Sequence, residues 1–226
     1  MEILKTEELS KTYGSGLTAV RALWPTNISI SQGAFIAVIG PSGSGKSTLL
    51  HLLGGLDRPT EGKVILEDRD IYSLPEKDLA ILRRRKFGFI FQFYNLIPVL
   101  SAMENITLPL LLDNKPVDNE YIDELIELLG LKDRINHLPN ALSGGQQQRV
   151  AIARSLANKP SIIFADEPTG NLDTKNSREV LDLLRLSVKK YHQTLVMITH
   201  DHNIAAGADR VITIEDGAIV SDGAVV

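Results

Sequence analysis

Nine consecutive residues, Gly40, Pro41, Ser42, Gly43, Ser44, Gly45, Lys46, Ser47 and Thr48, are of the types and in the order that can hold a phosphate chain. They fit the spacing G-x-x-x-x-G-K-[ST], in which glycines let backbone N–H groups close around phosphate oxygens and a helix N-terminus adds about half a positive charge. Lys46 would reach the β- and γ-phosphates, and the Ser47 hydroxyl would ligate Mg²⁺. A chance Gly/Ser turn satisfies the same spacing. The apolar run FIAVI before it and the helix-compatible TLLHLLGGL after it supply the strand–loop–helix setting that a chance turn lacks. The magnesium shell then calls for a carboxylate, and Asp166, at the end of SIIFA, is suited to that role. Glu167 follows it as a candidate general base to polarise a water toward the γ-phosphate. Alone, such a pair also serves as a helix cap or a solvated loop. Gln92, 46 positions after Lys46, and His200 are each weak signals in isolation, one as polar punctuation at a strand end and the other because a single histidine has many structural uses. His200 and His202 could pair on a metal, but no Cys/His cluster accompanies them.

The elements that must position these residues are legible as short runs rich in Val, Ile and Phe alternating with helix-like stretches. That is the pattern of an α/β fold with a mostly parallel sheet and helices on both faces. FIAVI (35 to 39) leads into Gly40, FGFIF (87 to 91) into Gln92, SIIFA (161 to 165) into Asp166 and Glu167, and TLVMIT (194 to 199) into His200. Ligands of open parallel sheets sit beyond the carboxyl ends of the strands, so these four polar endings are expected to serve one site. Before residue 35, EILKTEELSKTY and ALWPTNISI alternate polar and apolar as half-exposed antiparallel strands do, and KVILEDRDI (63 to 71) is suited to join them. Between Asn95 and Leu142 the pattern turns helical, with Ile122, Leu125, Ile126 and Leu129 on one face and Gly130 as a stop. VLDLLRLSVKKY (180 to 191) reads as a crossover helix before the fourth strand.

Composition removes several classes. The 226 residues carry 24 Lys and Arg against 28 Asp and Glu, a net charge of −4, which gives no electrostatic reason to expect nucleic acid. With no cysteine, disulfide scaffolds, Cys-ligated zinc, iron–sulfur clusters and thiol catalysis are excluded. The amino-terminal sequence lacks the basic-then-apolar layout of a secretion signal, and apolar runs such as ITLPLLL (106 to 112) fall well short of the ~20 residues of a membrane span.

Residues 142 to 146 read Leu-Ser-Gly-Gly-Gln, followed by Gln147, Gln148 and Arg149. This resembles the signature of ATP-binding-cassette ATPases, and the motif order agrees: Tyr13, phosphate loop, Gln92, Leu142 to Gln146, Asp166-Glu167, Gly170-Asn171-Leu172-Asp173, His200. The resemblance spans nearly the whole chain. It implies a P-loop NTPase core with a mostly parallel sheet, an N-terminal antiparallel β subdomain and a helical signature subdomain. The 226 residues would form one cassette, with about 1–92 and 161–226 as catalytic core and β subdomain and about 93–160 as helical subdomain. Physically, Ser143, Gly144, Gly145 and Gln146 open a helix-compatible stretch and so form a second anion-ready helix N-terminus. The family uses such a pair in a head-to-tail homodimer formed on ATP binding, in which one subunit's signature closes over the ATP held by the other's phosphate loop.

Carried over residue by residue, the resemblance implies that Tyr13 stacks on adenine. Lys46 and Ser47 would serve phosphate and Mg²⁺, Gln92 the metal or the attacking water, and Asp166 the metal through water. Glu167 would be the base, Asp173 part of the dimer seam, and His200 a contact to the γ-phosphate. The text around these motifs looks like the lipoprotein-releasing, macrolide-efflux and cell-division branch. That implies an integral membrane permease-type partner, a place at the cytoplasmic face of the membrane, and export or mechanotransmission as the work done. A nucleotide-dependent signalling or cell-division module coupled to a membrane sensor without transport is the alternative. Rival nucleotide-binding classes fit less well. Asn114-Lys115 and Asn158-Lys159 lack the Asp of a guanine-reading Asn-Lys-x-Asp, and the 51 positions between Gln92 and Ser143 leave no room for a long coiled coil. FYNLIPVLSAMENITLPLLL offers an apolar surface that a partner helix could enter, or else core, and Arg83 to Lys86 form a dense basic run suited to a solvated face, to lipid headgroups or to an acidic partner loop.

Overall fold

The computed structural model describes residues 1–224; the side chains of Leu17 and His202 are not among what it describes, so the His200–His202 metal pair lies outside the described residues. In chain order the elements begin with β1 (Glu2–Tyr13), β2 (Val20–Thr26), β3 (Ser29–Ser31), β4 (Phe35–Ile39) and α1 (Lys46–Leu53). Next come β5 (Glu61–Leu66), β6 (Arg69–Asp70), α2 (Glu76–Lys86), β7 (Phe87–Ile90), α3 (Ala102–Leu112) and α4 (Asn119–Leu128). The chain continues through α5 (Gly144–Leu156), β8 (Ile162–Asp166), α6 (Thr174–Lys190), β9 (Thr194–Ile198), α7 (His202–Ala205), β10 (Arg210–Glu215) and β11 (Ala218–Ala224).

Two compact units result, one of Met1–Arg83 with Thr194–Val226 and the other of Arg84–Gln193. In the first, β2, β1, β5 and β6 form an antiparallel sheet with β3 also paired to β1. β1 buries Leu4 and Thr6 on one face while Glu7 stays exposed, and past an irregularity between Glu7 and Ser10 it buries Leu9 as well. The unbroken apolar runs do the opposite: β4 and β9 pair in parallel with Ile36 opposite Val196, and β10 lies parallel on the other edge of β4. Ile36, Ala37, Val38 and all five residues of β9 are buried, so neither strand has a solvated face. Because β4 and β9 run in parallel, Gly40 and His200 leave the sheet at the same edge. β11 closes on β10 through Asp216 and Gly217, both at positive φ, the turn geometry whose twist matches that of the flanking strands.

The second unit holds β7 parallel to β8, with Phe87 opposite Ile162, so Gln92 and the Asp166-Glu167 pair also follow a common edge. Phe164 stacks on Phe89 and meets Phe87 edge-on. α3, capped by a reciprocal Ser101–Glu104 pair, packs on α5, and α4 buries Ile122, Leu125 and Ile126 as its spacing predicts. Asp113, at the C-cap of α3, is a fully buried carboxylate bound by Arg84 (2.6 Å), Arg85 (2.9 Å) and Lys115 (3.2 Å). Arg83 instead donates to the Gly55 carbonyl (2.6 Å) within the first unit. Three members of the basic run therefore have internal partners.

The hydrogen bonds from Arg85 outweigh the desolvation of Asp113, and with Arg84 and Lys115 they hold its carboxyl well below the usual carboxylate range. A depressed carboxylate contributes stability that is complete above its unfolded value of about 4 and is lost as pH falls toward the depressed one. Asp113→Asn should therefore lower stability at neutral pH, and urea midpoints should decline less for the variant than for wild type between roughly pH 5 and pH 3. Parallel acid limbs for the two proteins would remove Asp113 from this role.

Candidate nucleotide site

The phosphate-type loop is built into the first unit with little slack. Gly40 has φ 149°, and a Cβ there would lie 2.0 Å from the Ile214 carbonyl oxygen; at Gly45, with φ 102°, it would lie 2.3 Å from that of Ala22. Any side chain at either place would force backbone apart, so these two glycines are required by close approach as well as by backbone angle. The Gly217 N–H donates to the Ser44 carbonyl (2.9 Å), which ties the loop to the β10–β11 turn.

Gly45 is the N-cap of α1 and offers no side-chain cap, and among the described residues the amides of Lys46, Ser47 and Thr48 take no acceptor from the protein. The Ser44 Oγ is buried and likewise has no protein partner. Lys46, only 7% exposed, directs its ammonium to the carbonyl oxygens of Gly40 (3.0 Å) and Pro41 (2.7 Å), which fixes it over the loop. Three unpaired amides and an orphan hydroxyl, with an ammonium held on the loop's own carbonyls, form a donor set that calls for an external acceptor. That is what a polyphosphate supplies. Ser47 is exposed in the first turn of α1, and His200 is exposed just after β9. Tyr13 ends β1 with its ring 42% exposed and its phenol donating to Asp57 Oδ2 (2.8 Å).

The second unit assembles the remaining motifs. Gln92, half-buried after β7, accepts a hydrogen bond on its carbonyl from Asn171 Nδ2 (2.9 Å), and a Cβ on Gly170 would come within 2.8 Å of Gln92 Nε2. Ser143 caps α5 in a reciprocal pair with Gln146: the Ser143 N–H donates to Oε1 (2.9 Å) and the Gln146 N–H to the serine Oγ (3.3 Å). Gly144 lies against the Tyr94 hydroxyl and Gly145 against Asn176, whose own side chain donates to Asp173 Oδ2 (2.6 Å). Asp173 also caps α6 by accepting from the Lys175 and Asn176 amides, and these bonds lower its carboxyl below the usual range. Arg154 on α5 donates to the Tyr94 and Asn95 carbonyls (2.8 and 2.6 Å), fixing the segment that follows Gln92. Asp166 ends β8 and Glu167 follows it, both half-buried, and Glu167 holds φ 44°. A left-handed glutamate is uncommon and costs on the order of 1 kcal/mol or more. Thus Gln92, the signature and the Gly170–Asp173 turn are linked in this unit, whereas Tyr94, Arg154 and Asn176, which help to hold them, carry no signal in the sequence that distinguishes them from ordinary loop and helix residues.

The side-chain donors suggested for magnesium, the Ser47 hydroxyl, the Gln92 amide oxygen and the Asp166 carboxylate, are all hard oxygens, the type that this ion takes. Among the described residues no three His, Cys, Asp or Glu side chains gather into a metal-binding group.

A family model described as ABC transporter matches residues 23–170. The lipoprotein-releasing system ATP-binding protein LolD of Cytophaga hutchinsonii is 46% identical over 222 residues, covering 97% of this chain and 99% of its own. The macrolide export ATP-binding/permease protein MacB of Bdellovibrio bacteriovorus is 47% identical over 214 residues, covering 95% of this chain but 33% of that longer protein. Among solved structures, a dimeric post-hydrolysis state of the ATP-binding cassette MJ0796 bound to ADP and Pi superposes with a TM-score of 0.89 at 41% identity, over 99% of both chains. The chain therefore belongs to the ABC transporter family, as its ATP-binding and ATP-hydrolysing subunit.

Proposed function

We propose that this subunit dimerises head to tail on Mg-ATP and uses the cycle of ATP hydrolysis to drive an integral membrane permease-type partner of the lipoprotein-releasing or macrolide-efflux kind. The likeness to LolD over almost the full length of both chains is the observation that carries this reading. In each composite site the amides of Lys46, Ser47 and Thr48, with the Lys46 ammonium, hold the triphosphate, while Tyr13 receives the adenine. Magnesium, when bound, neutralises phosphate charge; Ser47, Gln92 and, through water, Asp166 would hold it. Glu167 accepts a proton from the attacking water, His200 contacts the γ-phosphate, and Ser143 to Gln146 of the other subunit complete the phosphate cradle.

Among the described residues no helix is long and apolar enough to cross a membrane; in this reading the work on a membrane passes through the partner, with this subunit at its cytoplasmic face. The segment after Gln92 supports that coupling. Ala102, Ile106 and Leu110 are buried, but Phe93 and Val99 are 70% and 78% exposed, and Leu111 and Leu112 are exposed as well. These exposed apolar side chains are suited to contact a partner. The test is the ATPase rate with and without the membrane protein that the chain captures from detergent-solubilised membranes, reconstituted in lipid. Phe93→Asp should keep the rate of the isolated subunit and lose its response to the partner. An undiminished response would remove this surface from the coupling.

A further inference from the structure

Asp57 lies in the turn that follows α1, nine positions after the phosphate loop, and its carboxylate accepts from three donors at once. Oδ2 takes the Tyr13 hydroxyl (2.8 Å), and Oδ1 takes Lys11 Nζ (2.8 Å) and the Arg58 N–H (2.7 Å). Its own backbone is fixed from both sides. The Asp57 N–H donates to the His51 carbonyl of α1, and the Asp57 carbonyl accepts from the Tyr72 hydroxyl (2.6 Å). Lys11 in turn is held by the Arg58 carbonyl (2.6 Å) and places its ammonium 4.8 Å from the centre of the Tyr13 ring. That contact sets a cation over one face of the ring.

Burial alone would raise the Asp57 carboxyl, but the bonds from Lys11, Tyr13 and the Arg58 amide outweigh it and lower the group, so Asp57 is a charged acceptor at neutral pH. Burial raises the Tyr13 phenol, Asp57 raises it further, and the Thr48 side chain in the phosphate loop acts in the opposite sense. The ring is thus tethered at its hydroxyl to a turn that hangs from the same helix whose N-terminus faces the phosphates.

We propose that Asp57 is a positioning residue for nucleotide binding, acting through the Tyr13 hydroxyl to fix the aromatic platform at the set distance from α1 that a base joined to a loop-bound triphosphate requires. The inference rests on the reading that Tyr13 receives the base. An exposed ring on a strand end has two free side-chain torsions, and a bond to a charged acceptor removes that freedom before the nucleotide arrives. The base then stacks on the ring face opposite Lys11.

Calorimetric titration of the purified chain with Mg-ATP and, separately, with inorganic tripolyphosphate tests this. Asp57→Ala and Tyr13→Phe should each weaken ATP about ten-fold, the lower end of what one hydrogen bond to a charged group is worth, and leave tripolyphosphate unchanged. The double variant should lose no more than either alone. Equal loss for ATP and tripolyphosphate would show a general defect of the turn and overturn the proposal, as would additive losses in the double variant. Tyr13→Ala separates the two levels. If it weakens ATP while Asp57→Ala and Tyr13→Phe do not, Asp57 has no positioning role and the platform stands. If Tyr13→Ala binds ATP as wild type does, the platform reading itself fails and the inference with it.

Discussion

Glu167→Gln should abolish steady-state ATP hydrolysis, by about 10² to 10⁴-fold, while leaving ATP affinity close to that of the unchanged protein. The two side chains are of the same size and shape, so the left-handed backbone at 167 and the end of β8 have no new reason to move. What changes is basicity: an amide oxygen cannot take the proton that the attacking water must release. Affinity rests on a different set of groups, the amides at the start of α1 and the Lys46 ammonium, none of which the substitution touches. Phosphate release under saturating Mg-ATP, paired with a direct nucleotide titration, reads both quantities. A variant that turns over at more than a tenth of the original rate would show that the proton leaves by another route.

Lys46→Ala should instead remove ATP binding itself, by about 100-fold or more. The ammonium now rests on the Gly40 and Pro41 carbonyls at 3.0 and 2.7 Å, within the loop that would surround the phosphates. Hydrogen bonds from a charged donor to phosphate are worth about 1.5–3 kcal/mol each, and each 1.4 kcal/mol is a factor of ten, so two of them reach the stated loss. The fold should tolerate the change, because the Gly217 N–H bond to the Ser44 carbonyl (2.9 Å) also ties the loop to the β10–β11 turn. Calorimetric titration at a fixed magnesium concentration decides the matter, with the melting temperature as control. Unaltered ATP affinity would take the loop out of nucleotide binding.

The parts of this molecule that could be read from its sequence are those where one residue type answers one local requirement. Unbroken apolar runs had to be strands covered on both faces, and β4 and β9 are. Gly40 and Gly45 had to be glycines, and the carbonyls at 2.0 and 2.3 Å give the reason. The helical spacing of Ile122, Leu125 and Ile126 required a buried face, which α4 has. Other features depend on partners distant in the chain. Arg84 and Arg85 look like a solvated basic face until Asp113, at the far end of α3, is found beneath them. The carboxyl-terminal β10–β11 hairpin, which the alternating-run pattern did not single out, had only the Asp216-Gly217 turn to signal it. The apolar stretch after Gln92 was open between core and surface, and it is divided: α3 buries Ile106 and Leu110 while Phe93 and Val99 face solvent.

For the site, the candidate groups carry motif signals in the sequence, and several of the residues that hold them do not. Lys46, Glu167, Ser143 and Asn171 belong to motifs whose order is fixed along the chain. Asp57 and Arg154 act only through hydrogen bonds that close over 44 and 60 positions, as to Tyr13 and Tyr94. No periodicity or spacing rule reaches that far, because such bonds are set by the packing of whole elements and not by local propensity.

The claim on which the mechanism depends is that one chain holds only half of each site. Light scattering of Glu167→Gln at saturating Mg-ATP tests it most directly, since a subunit that binds ATP without hydrolysing it should stay paired. The account predicts a species of twice the 24.8 kDa chain mass that returns to the single mass when ADP replaces ATP. A Glu167→Gln protein that binds ATP and remains at the single mass would contradict it.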